Sequence, residues 1–167
     1  YVVIYNLEYY IKNLLNIFFI WEGGMSFHGG LIGIIISIFI FSKKKHIKTF
    51  LILDIVSIVS PIGIFFGRVA NFINGELHGK ITELSFGVIF PYVDNNLRHP
   101  SQLYEAIAEG PILFFLLYFF AFKKKYIFKN GIISGLFLSF YSFFRFFLEY
   151  FREPDVQIGY LFLDTTM

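Results

Sequence analysis

Residues 131–151 of the chain read GIISGLFLSFYSFFRFFLEYF, an apolar run long enough to cross a lipid bilayer as one helix. Tyr141, Arg145 and Glu149 recur in it at every fourth position, and Arg152 follows directly. At about 100° per residue, these four side chains fall within an arc of about 80°. The run therefore predicts a membrane-spanning helix with one polar stripe on an otherwise phenylalanine-rich surface.

Charged side chains inside a membrane are costly, and they usually face a bundle interior or a wet cavity, as a functional site would. A simpler interpretation is an ion pair between Arg145 and Glu149, four residues apart, that only closes helix packing or reaches the interface. We favour a functional stripe, because four polar groups exceed what one structural pair needs.

The whole chain has the composition of a membrane protein. Its 167 residues are 56% hydrophobic and 22% aromatic, and only 16% are charged, whereas soluble domains carry about 25% charged residues. This composition excludes a disordered chain, a nucleic-acid module and an ordinary cytosolic enzyme. The sequence has no cysteine, which excludes a thiolate metal site and a cysteine nucleophile on this chain. Its four histidines lack the short spacing typical of metal ligands, so we expect no metal site.

Four apolar stretches approach the roughly 20 residues that a spanning helix needs. We therefore predict an all-α polytopic bundle and a single membrane domain over residues 1–167, incomplete at both ends. The predicted spans lie at about 25–42, 49–67, 104–122 and 131–151. The connection 67–103 has the Gly, Pro and Asn residues of a loop, with one strand-like run at 85–90.

The basic residues predict the orientation of these spans. Eight of the ten lysines lie in the loop between the first and second spans and in the loop between the third and fourth, and neither loop contains an acidic residue. The positive-inside rule places both loops in the cytoplasm. The long loop 67–103 and all four arginines then lie on the opposite side, where the rule disfavours basic residues. The arginines are Arg68, Arg98, Arg145 and Arg152.

The second span ends in the motif GRVANFINGELHG at residues 67–79. Arg68, Asn71 and Glu76 bring a guanidinium, an amide and a carboxylate to the membrane surface. A guanidinium matches a phosphate diester with two hydrogen bonds, and an amide can donate to phosphate or ester oxygens. Alternatively, the Asn and Gly residues only form turns and Arg68 anchors to lipid headgroups.

Two further motifs contain histidine. The first span opens with GGMSFHGG at residues 23–30, and RHPSQLYE at residues 98–105 precedes the third. His28 can transfer protons near neutral pH, although a single histidine in a helix is more often a packing or hydrogen-bonding residue. Ser101 fits a helix N-cap, whereas His99 beside Arg98 needs another explanation.

These motifs, followed by Tyr141, Arg145, Glu149 and the run REPD at residues 152–155, resemble the prolipoprotein diacylglyceryl transferase family of bacterial inner membranes. They occur in the family's order and cover nearly the whole chain. Family members have about seven spans, so the resemblance implies that this chain is a central portion.

The resemblance implies transfer of the diacylglyceryl group from phosphatidylglycerol to the lipobox cysteine of a prolipoprotein, with formation of a thioether and release of glycerol phosphate. It implies membrane lipids as surroundings, no nucleic-acid partner and no cofactor. The location that it implies is the bacterial inner membrane, with the site and the loop 67–103 on the periplasmic side.

The resemblance also assigns roles to residues. Arg68 and Arg145 would stabilise the leaving phosphate. A thiol with a pKa near 8.5 needs a base, for which His28 is the first candidate and His99 the second. Substrate binding and orientation would fall to Arg68, Asn71, Glu76, Tyr141, Arg145 and Glu149.

An alternative function is a transporter or channel for an anionic solute, with the same arginines as its binding site. A path through the membrane should show polar positions along the full depth of the spans. The cytoplasmic halves contain little beyond Asp54 and serines, which disfavours such a path. A third, weaker alternative is a purely structural lipid-binding subunit.

Overall fold

A computed structural model describes residues 7–19 and 27–153 of the chain, which divides into two compact units, Tyr1–Thr49 and Phe50–Met167. The first unit contains α1 (Leu7–Lys12), a 3-10 turn (Leu14–Phe18) and α2 (Phe27–Lys45). Helix α2 overlaps the first predicted span, 25–42, whose start at Met25 lies outside the described residues. Three lysines end α2, where positive charge interacts favourably with the helix dipole.

The second unit is built on three long helices. Helix α3 is Thr49–Asn74, helix α4 is Ser101–Lys123, and helix α5 is Ile132–Leu148 with a final 3-10 turn, Glu149–Phe151. Within the described ranges, these are the helices that are both long and apolar enough to cross a membrane. The predicted all-α membrane architecture is thereby confirmed, whereas the single domain over residues 1–167 stays a prediction.

Helix α3 is longer than the predicted second span. It continues through the motif at 67–79 to Asn74, because Val69, Phe72 and Ile73 extend the apolar helical pattern past Arg68. Gly75, with φ at +72°, then provides the left-handed conformation that ends the helix. The long loop therefore begins at Gly75, and the prediction that it begins at residue 67 is wrong.

Helix α4 contains two π-helical turns, Ala108–Ile112 and Phe119–Lys123. Pro111 lies in the first of them and has no N–H to donate, so the regular hydrogen-bond ladder cannot form there. Gly110 lets α4 approach α3 closely, since a Cβ atom at this position would lie 2.8 Å from the Cβ atom of Phe65. This turn brings the start of α4 against the end of α3.

The hydrophobic core lies in the middle of the three helices and towards the lysine-rich loops. Leu113, Leu117 and Ala121 of α4 pack with Ile58 of α3 and Ile133 of α5. The opposite face of α5 exposes phenylalanines, as expected for a helix that borders lipid.

Asp54 of α3 caps the N-terminus of α5. Its Oδ2 accepts a hydrogen bond from the Gly131 N–H at 2.7 Å, and its Oδ1 accepts two from Ser134, at 2.8 Å from the backbone and 2.9 Å from the hydroxyl. The first N–H groups of a helix have no partner within it, so this fully buried carboxylate satisfies them. Asp54 thus joins α3 to α5 at the end of the helices next to the lysines.

The long loop contains a short antiparallel sheet in which β1 (Val88–Ile89) pairs with β2 (Leu97–Arg98). Strand β1 confirms two residues of the strand-like run predicted at 85–90, whose first residues form a turn. The loop is also bound to the end of α5, because the Lys80 N–H donates to the Phe151 carbonyl at 2.9 Å. The loop therefore has a defined position over this end of the helices.

Two local predictions are wrong. Ser101 is the first residue of α4 and Pro100 is its N-cap, because the Ser101 hydroxyl donates to the Leu77 carbonyl at 3.2 Å and is not available to cap the helix. Arg152 has an extended backbone (φ −85°, ψ 142°) and forms a bridge to Gly79, so it does not continue the polar stripe of α5. In both cases the residue is instead paired with the long loop, Ser101 with Leu77 and Arg152 with Gly79.

Candidate active site

Five charged side chains meet where α3 and α5 end and α4 begins. Arg68 comes from α3, Glu105 and Glu109 come from the first turns of α4, and Arg145 and Glu149 come from the end of α5. Adjacent helices run in opposite directions, so these three ends lie together. We call this set the arginine–glutamate cluster.

Glu105 links the two arginines of the cluster. Its Oε2 lies 2.8 Å from Nη1 of Arg68, and its Oε1 accepts a hydrogen bond from Nη1 of Arg145 at 2.7 Å. Each carboxylate oxygen thus serves a different guanidinium. The contact places arginines that are far apart in sequence side by side.

A second carboxylate contacts each arginine from its other side. Nε and Nη2 of Arg68 both donate to Oε2 of Glu109 at 3.2 Å, and Nη2 of Arg145 pairs with Oε2 of Glu149. The pair of Arg145 and Glu149 that sequence spacing suggested is therefore present, but within a larger network that also involves α3 and α4.

The carboxylates of the cluster lie beneath the guanidinium groups. The side chains of Glu105 and Glu109 are fully buried and that of Glu149 is 7% exposed, whereas Arg68 and Arg145 are 15% and 21% exposed. A guanidinium carries five N–H donors, more than these carboxylates use on either arginine. Both guanidinium groups are therefore partly exposed and keep N–H donors for a further anion.

Tyr141 and Asn71 lie next to Arg68. Tyr141 is half-buried, stacks on Phe137 with ring centroids 5.9 Å apart, and interacts with the Arg68 guanidinium. Asn71 follows Arg68 by three residues on α3, which places both on the same face of the helix. Of the predicted site residues, the structure thus groups Arg68, Asn71, Tyr141, Arg145 and Glu149.

The carboxylate of Glu76 does not join the cluster. Glu76 follows the turn at Gly75 and its side chain is exposed, while its backbone carbonyl accepts a 2.6 Å hydrogen bond from Nε2 of Gln102. This bond fixes the start of α4 against the end of α3. Glu76 therefore contacts α4 through its backbone carbonyl and not through its carboxylate.

His99 lies at the start of α4 among aromatic rings. Its Nδ1 is 3.3 Å from the Tyr104 hydroxyl, and its ring centroid is 5.3 Å from that of Phe151. Burial lowers the pKa of His99 from its ordinary value of 6.5, so the imidazole is neutral at pH 7 and can accept a proton. His28 lies in the first turn of α2, and its side chain is outside the described residues.

Arg98 stabilises the position of the long loop. Its guanidinium pairs with Asp94 at 2.7 Å and with Glu153 at 3.5 Å, and its Nη1 donates to the Gly79 carbonyl at 3.1 Å. The hydrogen bonds from Arg98 hold the pKa of Asp94 well below its usual range. Arg98 therefore fastens the long loop to the end of α5.

Sequence reasoning did not assign a site role to Glu105 or Glu109. Glu105 is the last residue of the motif RHPSQLYE, and Glu109 belongs to none of the motifs. A signal was nevertheless present, because two carboxylates four residues apart in an apolar segment need buried cationic partners. Across residues 7–19 and 27–153, no three histidine or acidic side chains are placed to hold a metal ion together.

Comparisons with known proteins identify the family. The family model described as prolipoprotein diacylglyceryl transferase matches residues 1–167. Proteins named phosphatidylglycerol–prolipoprotein diacylglyceryl transferase are similar over the whole chain: that of Rickettsia bellii (strain OSU 85-389) is 56% identical, and those of Rickettsia felis and Rickettsia typhi are each 52% identical. The chain spans 64% of the length of each of these relatives. The family match over all 167 residues shows that this chain belongs to the prolipoprotein diacylglyceryl transferase family.

Proposed function

We propose that the protein containing this chain transfers the diacylglyceryl group of phosphatidylglycerol to the lipobox cysteine thiol of a prolipoprotein. The names of the relatives mention both the lipid and the protein substrate. The chemistry of the arginine–glutamate cluster supports this proposal, because phosphatidylglycerol combines an anionic phosphate with apolar chains.

The observation that carries the proposal is the pair of partly exposed guanidinium groups held over buried carboxylates among apolar helices. Unpaired charges at this position would be costly, so the carboxylates make it possible to keep two arginines there. Guanidinium groups bind phosphate with directed, charge-assisted hydrogen bonds. The cluster thus suits a lipid headgroup that carries a phosphate diester.

The reaction forms one bond and breaks one. The thiol loses its proton and its sulfur attacks the glycerol carbon of the diacylglyceryl group, while the bond from that carbon to the phosphate oxygen breaks. Negative charge develops on the departing glycerol phosphate, where Arg68 and Arg145 stabilise it. Asn71, Tyr141 and Glu149 orient the lipid, and the exposed Glu76 contributes to substrate binding at the edge of the site.

A base must take the thiol proton, and we propose His28 for this role with His99 as the second candidate. The neutral state of His99 supports its candidacy, because only a neutral imidazole can accept a proton. The contacts of the half-buried His99 with Phe151 and Tyr104 also give it a fixed orientation.

We further propose that the chain lies in the bacterial inner membrane with the cluster towards the periplasm. The lysine-rich loops adjoin one end of α3, α4 and α5, and the cluster lies at the other end. The positive-inside rule assigns the lysine-rich end to the cytoplasm.

The contacts of Asp54 favour the transferase over an anion transporter. Both of its carboxylate oxygens bind the N-terminus of α5, and the fully buried Leu113, Leu117 and Ile133 fill the space between Asp54 and the cluster. Asp54 is therefore separated from the cluster by apolar side chains of the described helices.

The test is incubation of the whole protein with phosphatidylglycerol and a lipobox peptide, followed by mass spectrometry. We expect the mass of a diacylglyceryl group on the peptide and loss of the free thiol. Changing Arg68 or Arg145 to Ala should lower the rate by about 100-fold or more, and changing the exposed Lys45 to Gln should not. Absence of the adduct with the wild-type protein would refute the proposed function.

A further inference from the structure

We propose that Glu105 is a positioning residue, which holds the guanidinium groups of Arg68 and Arg145 at the separation that the lipid phosphate requires. This inference rests on the proposed function and adds a role that the sequence motifs did not assign. Glu105 acts through the two arginines and need not touch the lipid itself.

The geometry of the contact is the first argument. Glu105 gives one oxygen to each arginine, at 2.8 Å and 2.7 Å, whereas the ion pair of Glu109 is with Arg68 and that of Glu149 is with Arg145. A carboxylate is planar and its two oxygens are a fixed distance apart. The separation of the two guanidinium groups is therefore set by Glu105, while the other two carboxylates add charge to one arginine each.

The rigidity of Glu105 is the second argument. Its side chain is fully buried, and two neighbours on the first turn of α4 are bonded to the segment after α3. Gln102 donates to the Glu76 carbonyl at 2.6 Å, and Ser101 donates to the Leu77 carbonyl at 3.2 Å. The backbone that carries Glu105 is thus fixed relative to the helix that carries Arg68.

Without this carboxylate, the two arginine side chains would be more flexible. An arginine side chain has many rotamers, and ordering it during binding or reaction costs free energy. Two adjacent guanidinium groups also repel each other. If Glu105 were neutral, Glu109 and Glu149 would still hold one arginine each. The two guanidinium groups would move apart, however, and would stabilise the developing negative charge on the phosphate less well.

The experiment compares Glu105→Gln with the wild-type protein in the transfer assay and repeats the comparison in an Arg145→Gln background. We expect Glu105→Gln to lower kcat by about 100-fold and to change KM for phosphatidylglycerol less than about 3-fold, because misplaced groups affect the reacting geometry most. In the Arg145→Gln background the same change should lower kcat by less than about 3-fold, since no second guanidinium is left to position.

A purely structural role would lower kcat by the same factor in both backgrounds, and that result would overturn the proposal. Wild-type kcat in Glu105→Gln would also overturn it, and the proposed function would survive if the wild-type protein makes the adduct. Glu83→Gln, an exposed change in the long loop, is the control that should leave kcat unchanged.

A second variant keeps the proposal testable if Glu105→Gln does not fold. Glu105→Asp retains the charge but is one methylene shorter, so it can reach only one of the two arginines. We expect a folded Glu105→Asp protein to lose kcat by about 10-fold or more. A folded Asp variant with wild-type kcat would contradict the positioning role.

Discussion

Arg68 differs from an ordinary surface arginine in the number of directions from which it is held. It contacts Glu105 through Nη1 and Glu109 through Nε and Nη2, so two edges of the guanidinium are in use. A lysine ammonium is a single point charge and cannot reproduce a planar fork. The site therefore depends on the shape of this side chain as well as on its charge.

Replacing Arg68 with Lys should consequently lower kcat/KM for transfer by about 10- to 100-fold, even though the charge is conserved. The transfer rate at several concentrations of phosphatidylglycerol gives this ratio. Lys124→Arg, an exposed swap between the same two residue types, is the control and should be neutral. A kcat/KM of Arg68→Lys equal to that of the wild-type protein would show that the positive charge alone is sufficient at this position.

His99 predicts a dependence of stability on pH. Burial lowers its pKa from 6.5, so in the range below 6.5 the unfolded protein binds a proton that the folded protein does not. The contribution of His99 to stability is therefore present above about pH 6.5 and is lost as the pH falls through the folded value.

Thermal unfolding in detergent between pH 7.5 and pH 5 measures this effect. We expect the decrease in Tm on acidification to be smaller for His99→Gln than for the wild-type protein. The opposite ranking would mean that the folded protein favours the protonated imidazole.

At the residue scale, polar and charged side chains within apolar runs were predictable, because they can be recognised in the sequence without knowledge of their partners. Arg68, Arg145, Tyr141 and Glu149 were found in this way. The link through Glu105 could not be predicted, since its partner Arg145 is 40 residues away and only the packing of α4 against α5 joins them. The motif RHPSQLYE, which contains Glu105, predicts only a helix start at Ser101.

The π-helical turn of α4 is the element that brings Glu109 to Arg68. Gly110 allows the close approach to Phe65, and Pro111 prevents a regular α-helical hydrogen bond. Such turns are often found at functional sites. Here the turn contains Glu109, a carboxylate of the cluster.

Gly110→Ala should destabilise the protein by about 1–3 kcal/mol and weaken transfer, because the new methyl group would push α3 away from α4. Unfolding in detergent and the transfer assay measure the two effects. Gly135→Ala is a matched control on α5, where a Cβ atom has open space, and it should be neutral or slightly stabilising. Equal effects of the two changes would contradict the proposed close packing.

The Asp54 cap predicts a second effect at this scale. Asp54→Ala leaves the first N–H groups of α5 buried without their carboxylate partner and should cost about 1–2 kcal/mol of stability. Unfolding in detergent measures this cost. Ser139→Ala removes an exposed hydroxyl that bonds only within α5 and should cost little. If both changes cost the same, the cap would not stabilise the contact between the two helices.

Helix positions were easier to predict than helix ends. The apolar runs predicted the positions of α3, α4 and α5 correctly, because a run of about 20 apolar residues in a membrane usually forms a spanning helix. The end of α3 at Asn74 follows from the local conformation of Gly75, whereas the start of α4 at Ser101 and the departure of Arg152 from α5 depend on hydrogen bonds with the long loop. Because those hydrogen bonds connect segments that are far apart in sequence, no local sequence pattern predicts them.

For the whole molecule, the distribution of lysines predicts the orientation in the membrane. Because the chain has no cysteine, single cysteines can be introduced and labelled without background from this chain. In intact cells with a permeable outer membrane, Tyr92→Cys, at a position that is 93% exposed, should react with a membrane-impermeant maleimide. Lys124→Cys should react only after the inner membrane is opened. The reverse pattern would place the cluster on the cytoplasmic side.

The central claim is that Arg68 and Arg145, held by buried carboxylates, select an anionic phospholipid. Binding of phosphatidylglycerol and of zwitterionic phosphatidylethanolamine to the purified whole protein, measured side by side, tests it most directly. We predict tighter binding of phosphatidylglycerol by the wild-type protein and loss of this preference in Arg145→Gln, with folding unchanged. An equal preference in both proteins, or none in the wild type, would contradict the claim.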